Sequence, residues 1–174
     1  MPQASLAKIK IFKNKNEGKP NNSVTINNNL TSSFSSENKD FKSQNLIEKN
    51  KLKTCILFID DQHKDYKMVS ILQKAGWNNT KSIKDLTDLD DPKVLEADII
   101  FVDINGVGRK LFDDEGLGLA SALKKKYPFK KIVLYSAENT GDRFHKAIRD
   151  VDDCLSKNAE PYQFINLVET LTNL

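Results

Sequence analysis

Long apolar runs are missing from this chain: no stretch approaches the ~18 residues that a membrane-spanning helix requires, so no membrane insertion is expected. The N-terminus has neither an apolar h-region nor a cleavage site, which argues against secretion and makes a cytoplasmic protein the expectation. Cysteine is scarce. The two present, Cys55 and Cys154, make no disulfide framework and read as small hydrophobes near the start of one expected strand and inside another. No stripe of Lys and Arg interleaved with aromatics is present, so a nucleic-acid partner is not expected. There is no internal repeat. Even the net charge of +3 says little about a folded surface, because it is unevenly held. Residues 1–50 carry 8 Lys against 4 acidic residues, whereas residues 51–174 carry 19 basic against 20 acidic.

That first segment is rich in Asn, Ser and Lys, as in Asn27-Asn28-Asn29 and Ser32-Ser33-Phe34-Ser35-Ser36. It offers little apolar surface to offset the entropy of ordering, and residues 1–50 are expected to be a disordered tail. Within it, Leu6 to Phe12 alternates weakly through Ile9 and Ile11; it could add a strand or bind a partner, and a frayed tail is the simpler reading.

From Thr54 onward the pattern alternates β with α, five times. Cys55–Ile59 reads as a strand, and Met68, Ile71, Leu72 and Ala75 share one helical face that Gly76 ends. A short strand near Thr80–Ile83 leads to a weak helix around Leu86–Leu95, in which Pro92 breaks the pattern. Ile99–Val102 is the third strand, followed by a helix marked by Leu119, Ala120 and Leu123. Lys131–Tyr135 is the fourth, with Phe144, Ala147, Ile148 and Val151 at helical spacing after it. Cys154–Ser156 precedes a last amphipathic helix through Phe164, Leu167, Val168 and Leu171, with Pro161 suited to its first turn. Short β-rich runs of this kind read as strands buried on both faces. The expected fold is an α/β, flavodoxin-like, doubly wound five-stranded parallel sheet, (βα)5, over residues 51–174.

Ligands of such sheets bind beyond the carboxyl ends of the strands. At those ends the chain places Asp60-Asp61, Asp103, Ser136-Ala137 and Lys157. Carboxylates brought this close repel one another and favour protonation unless a cation intervenes. Magnesium suits the set, being a hard ion that takes oxygen ligands and retains waters, and the backbone carbonyl of Asn105 could add a ligand. With the metal in place an incoming phosphoryl group is neutralised and a carboxylate can act as nucleophile; Asp103, on an expected central strand, is the candidate. Lys157 offers a compact charge to a phosphoryl oxygen, and Ser136 a hydroxyl to another. Taken singly each residue has a structural reading: Asp60 or Asp61 as a helix cap, Lys157 as a solvated lysine, Ser136 as a turn residue. Their order along the strand ends is what favours chemistry.

Those motifs make residues 54–174 resemble a response-regulator receiver domain, the phosphoacceptor module of two-component signalling. Asp60-Asp61 is similar to the family's acidic pair, Asp103 to its phosphorylated aspartate, Ser136-Ala137 to its Thr/Ser-Ala switch pair and Lys157 to its invariant lysine. The resemblance implies that Asp61 and Asp103 ligate Mg²⁺ directly while Asp60 holds it through water. It implies a phosphoryl donor that is a histidine kinase or phosphotransfer protein, and a downstream protein partner of unknown identity. Glu138 and Asn105 match positions that influence how water reaches the acyl phosphate, so self-catalysed phosphorylation and dephosphorylation, rather than enzymatic turnover, are the expected activity.

The chain also departs from the family. Between Asp103 and Leu117 the loop is several residues longer and runs through Asn105-Gly106-Val107-Gly108-Arg109, whose glycines suggest mobility: a lid, a kinase contact or a tolerated insertion. Lys157 precedes Asn158 rather than Pro, and the aromatic switch position reads Cys154, with Tyr135 as a substitute. His63 reads as a solvent-facing residue of a first helical turn, and His145 carries no functional signal. The leading expectation is a stand-alone receiver. A phosphorylation-independent pseudo-receiver acting as an interaction module is the alternative, and a haloacid-dehalogenase-type phosphohydrolase, which usually has its second Asp two residues after the nucleophile, is a third reading.

Overall fold

A computed structural model of the protein describes residues 44–137 and 148–172. It begins with a helix, α1, over residues 44–53, which straddles the expected boundary at residue 50. Asn50 on this helix donates its side-chain amide to the Thr172 carbonyl at 3.1 Å, tying α1 to the end of the chain's last helix. The tail before residue 44 lies outside the described residues.

The strands are β1 (Ile56–Ile59), β2 (Thr80–Ile83), β3 (Ile99–Asp103), β4 (Lys131–Ser136) and β5 (Asp153–Ser156). They form one five-stranded sheet in the order β2-β1-β3-β4-β5, with every pairing parallel. This is the doubly wound order expected from the pattern, and it reverses direction between β1 and β3, where open α/β sheets bind their ligands. The central strands are buried along their whole length, as side chains under helices on both faces must be.

The helices are α2 (Met68–Lys74), α3 (Pro92–Glu96), α4 (Glu115–Lys126) and α5 (Pro161–Thr172). Pro92 does not break α3 but opens it: Asp91 caps the helix by accepting the Lys93 amide at 2.8 Å, and proline at the first position gives up no needed donor. Leu86, expected in that helix, lies before it as a buried loop residue. α4 carries Glu115 in its first turn and Lys124, Lys125 and Lys126 in its last, a placement that complements the helix dipole. Of the helix expected around Phe144–Val151, Phe144 and Ala147 lie outside the described residues; a 3-10 turn at Ile148–Asp150 is described.

Successive strand residues point to opposite faces, and the two faces fill differently. Leu57, Ile59, Ile100, Val102, Ile132 and Leu134 pack under α3 and α4 in a wholly aliphatic cluster of buried residues. Ile56, Phe58, Ile99, Phe101, Val133 and Tyr135 pack under α2 and α5 with Trp77 and Phe164. Among the described residues no helix is long and apolar enough to cross a membrane.

Candidate functional site

The period-2 alternation carries past the ends of the strands and sorts the candidate residues. Asp60 continues the parity of Ile56 and Phe58, Asp103 that of Ile99 and Phe101, and Lys157 that of Leu155, all on the ring-lined face. Asp61 continues the opposite parity. The consequence is visible in burial: Asp60 has no exposed surface and Asp103 is 4% exposed, whereas Asp61 is open to solvent.

Oxygens of Asp60, Asp61 and Asp103 lie within 4.8 Å of one another, a separation that a single cation can span. Lys157 is the counter-charge. Its Nζ is 2.7 Å from Asp103 Oδ2 and 3.0 Å from Asp60 Oδ2. Its backbone amide donates to the Ser136 carbonyl at 2.8 Å, so β4 sets where the lysine leaves the sheet. Ser136 itself is buried at the end of β4, one step past Tyr135, which is the register partner of Asp103. Among the described residues no peptide bond is cis, and Lys157 reaches both carboxylates without a following proline.

Burial raises the Asp103 carboxyl pKa above its ordinary value; the hydrogen bond from Lys157 opposes the rise and the nearby charge of Asp60 adds to it. For Lys157, burial pulls the ammonium down, but the hydrogen bonds to Asp103 and Asp60 outweigh it and the net shift is upward. The ammonium thus stays charged beside carboxyl groups that outnumber it, an arrangement that favours a further cation before any anion.

Two tyrosines enclose the lysine. The rings of Tyr66 and Tyr135 stack at 5.5 Å, and Lys157 Nζ lies 5.5 and 5.7 Å from their centroids. Tyr135, which has no exposed surface, donates its hydroxyl to Asp60 Oδ2 at 2.8 Å. Burial first, then the charge of Asp60 and the bond donated to it, push the Tyr135 phenol far above its ordinary range. Sequence reasoning named Tyr135 as a substitute switch residue and missed both this bond and Tyr66. The signal was available: a tyrosine after Ile132-Val133-Leu134 brings into a buried strand a hydroxyl that needs a partner. Cys154 is half-buried, and burial together with Asp153 raises its thiol, consistent with an inert cysteine.

The long loop after β3 is tethered. Val107 is fully buried in the aliphatic core, and the Gly108 amide donates to Asp85 Oδ1 at 2.6 Å. The Gly106 amide donates to Glu115 Oε2 at 2.8 Å, and Glu115 also pairs with Arg109 at 3.2 Å. Gly106, at φ +84°, passes so close to Asp61 that a Cβ there would collide with the carboxylate. At the start of α4, a Cβ on Gly116 would strike the Asp103 carbonyl oxygen. Of the glycines that suggest mobility, Gly106 therefore permits close approach to the acidic cluster and Gly108 close packing against Glu115 and Leu119 of α4. Asn105 sits exposed at the edge of that loop, its amide 3.4 Å from Asp103 Oδ1. His63 is half-buried in the turn after β1 rather than in a helix, and Glu138 and His145 lie outside the described residues.

The donor set fits a hard divalent cation: three clustered carboxylates, with a backbone passing against Asp61 where any side chain would fill the space. A groove of about 670 Å³ opens at the opposite end of the strands, beside Lys126, Lys130 and Lys131. Lys126 there is held by Asp90, and Lys130 by the carbonyls of Leu95 and Ala97.

No protein-family model matches the chain, and no curated protein matches it. Solved structures do. A CheY-like response-regulator receiver domain protein from Methanospirillum hungatei JF-1 superimposes with a TM-score of 0.57 at 17% identity, covering 69% of this chain and 94% of that one. A Burkholderia pseudomallei response regulator, solved with a phosphorylated aspartic acid, calcium ion and citrate, gives 0.52 at 20% identity, covering 69% of each chain. Brucella abortus NtrX in complex with ATP gives 0.56 at 22% identity over 70% of this chain, which spans only 27% of NtrX. The fold of the described residues is that of response-regulator receiver domains.

Proposed function

We propose, from a receiver fold with an acidic cluster at its switch point, that the protein is a phosphorylatable response-regulator receiver. Asp103 is the phosphoacceptor, and the donor is a histidine kinase or a phosphotransfer protein. The observation that carries the reading is Lys157, whose ammonium lies 2.7 Å from Asp103 Oδ2 within a cluster of three carboxylates. That juxtaposition supports a site which, with a cation on its carboxylates, offers a positive partner to a phosphoryl group and a nucleophile beside it.

In the reaction an Asp103 oxygen attacks phosphorus, an O–P bond forms, and the bond from phosphorus to the donor breaks, the leaving group keeping the electron pair. Lys157 then turns from the free carboxylate to a phosphoryl oxygen, and Ser136, at the neighbouring strand end, is the hydroxyl that reports the change. Asp61, Asp103 and the Asn105 carbonyl would hold Mg²⁺, which would neutralise phosphoryl charge. The Burkholderia pseudomallei structure, with its phosphorylated aspartic acid and calcium ion, supports the same chemistry here. Phosphorylation would alter the β4–β5 edge and so the affinity for a downstream protein, in a cytoplasmic setting.

A pseudo-receiver that binds partners without phosphorylation is favoured by one observation, the complete engagement of Asp60 by protein donors. Intact mass decides between them. Incubated with acetyl phosphate and Mg²⁺, the protein should gain one phosphoryl group, and Asp103→Asn should gain none. No gain in a folded protein, with acetyl phosphate and with phosphorylated histidine donors alike, would leave the pseudo-receiver.

A further inference from the structure

The two members of the acidic pair are adjacent in sequence and unlike in surroundings. Asp60 Oδ1 accepts from the Gln62 amide at 2.8 Å and lies 3.2 Å from Lys157 Nζ. Its Oδ2 accepts from the Tyr135 hydroxyl at 2.8 Å and lies 3.0 Å from the same ammonium. A carboxylate offers roughly four acceptor sites, so Asp60 is saturated by protein groups. Asp61 is exposed at the mouth of the cluster.

The tyrosine is held where it is. Its ring meets Phe58 edge-on at 5.8 Å and Phe101 at 6.2 Å, and Tyr66 stacks on it. In a wall of rings the hydroxyl has Asp60 to donate to, and a buried hydroxyl without an acceptor is costly. Tyr135 and Asp60 therefore hold each other in place.

We propose that Tyr135 is a positioning residue that withholds Asp60 from the cation. Its hydroxyl keeps the carboxylate turned toward Lys157, so a divalent cation at this edge rests on Asp61, Asp103 and the Asn105 carbonyl. The inference builds on the reading of the edge as a cation site. It also gives the lysine its freedom: when Lys157 turns to a phosphoryl oxygen, the buried Asp60 keeps the Tyr135 hydroxyl and the Gln62 amide.

The test is calorimetric titration of MgCl₂ into the full chain and three variants. Tyr135→Phe retains the ring and frees one Asp60 acceptor, and should tighten binding by about fivefold, the scale of one modest hydrogen bond. Asp60→Asn should weaken binding by less than about tenfold, and Asp61→Asn by about 100-fold or more. Unchanged or weaker binding in Tyr135→Phe overturns the proposal, as does an Asp60→Asn loss equal to that of Asp61→Asn. The second comparison stands even if thermal melting finds Tyr135→Phe unfolded. Binding in Tyr135→Phe but not in the native chain supports withholding in its strongest form. Binding in neither overturns it, while phosphoryl uptake by Asp103, read by mass, decides the functional reading separately.

Discussion

The two faces of the sheet are built from different materials. Under α3 and α4 the buried residues are aliphatic throughout; under α2 and α5 they include Phe58, Trp77, Phe101, Tyr135 and Phe164. Branched aliphatic chains pack densely and end inside the core. Rings reach further, and a tyrosine carries a polar tip at the far end of an apolar body. The ring-lined face is thus the one that extends into the site, through Tyr135 to Asp60 and through Tyr66 to the flank of Lys157. The aliphatic face supports stability and, by Val107, anchors the loop that borders Asp61.

A pair of truncations tests that division most severely. Phe164→Ala removes a buried ring 5.9 Å from Phe101 and 6.4 Å from Tyr66, and should cost about 3–5 kcal/mol in urea unfolding. Leu123→Ala, on the aliphatic face, should cost about 2–5 kcal/mol. Phosphoryl uptake by the folded fraction should fall in the first and hold in the second. Equal loss in both would erase the functional distinction between the faces.

A smaller effect should follow from the charge at the end of the ring-lined face. Since burial raises the Asp103 pKa, the native state keeps that proton to higher pH than the unfolded chain does. The group's contribution to stability is therefore fully favourable below the ordinary carboxyl value and declines as pH rises from there through the raised native value. Without metal, Asp103→Asn should remove this decline, so the two chains' stabilities diverge toward neutral pH in favour of the variant. Urea unfolding in EDTA across the acid-to-neutral range reads it, and parallel curves would refute it.

Tyr66→Phe should change least. Its hydroxyl is buried with no hydrogen-bond partner among the described residues, so deleting it should alter stability by less than about 1 kcal/mol, in the stabilising direction. A marked loss on thermal melting would mean that the hydroxyl serves the site.

Sheet type, strand identity and the gathering of Asp60, Asp61, Asp103 and Lys157 at the strand ends were legible because each is local. A buried parallel strand is a short β-rich run, and a polar residue closing it falls at the ligand-binding edge. Period-2 counting even separates Asp60 from Asp61. Where the pattern misled, a local signal had two meanings: Pro92 breaks a helix in its middle and starts one at its first turn, and glycine serves mobility in one loop and close approach in another. Tertiary structure alone decided which partner each polar group took. That Tyr135 on β4 meets Asp60 beyond β1, across the intervening β3, depends on strand order and on ring packing over a sequence separation of 75 residues. The same holds for the tether of Gly108 to Asp85. Hydrogen bonds of this kind are chosen by three-dimensional proximity among groups that burial has stripped of water, and no periodicity in the chain encodes that choice.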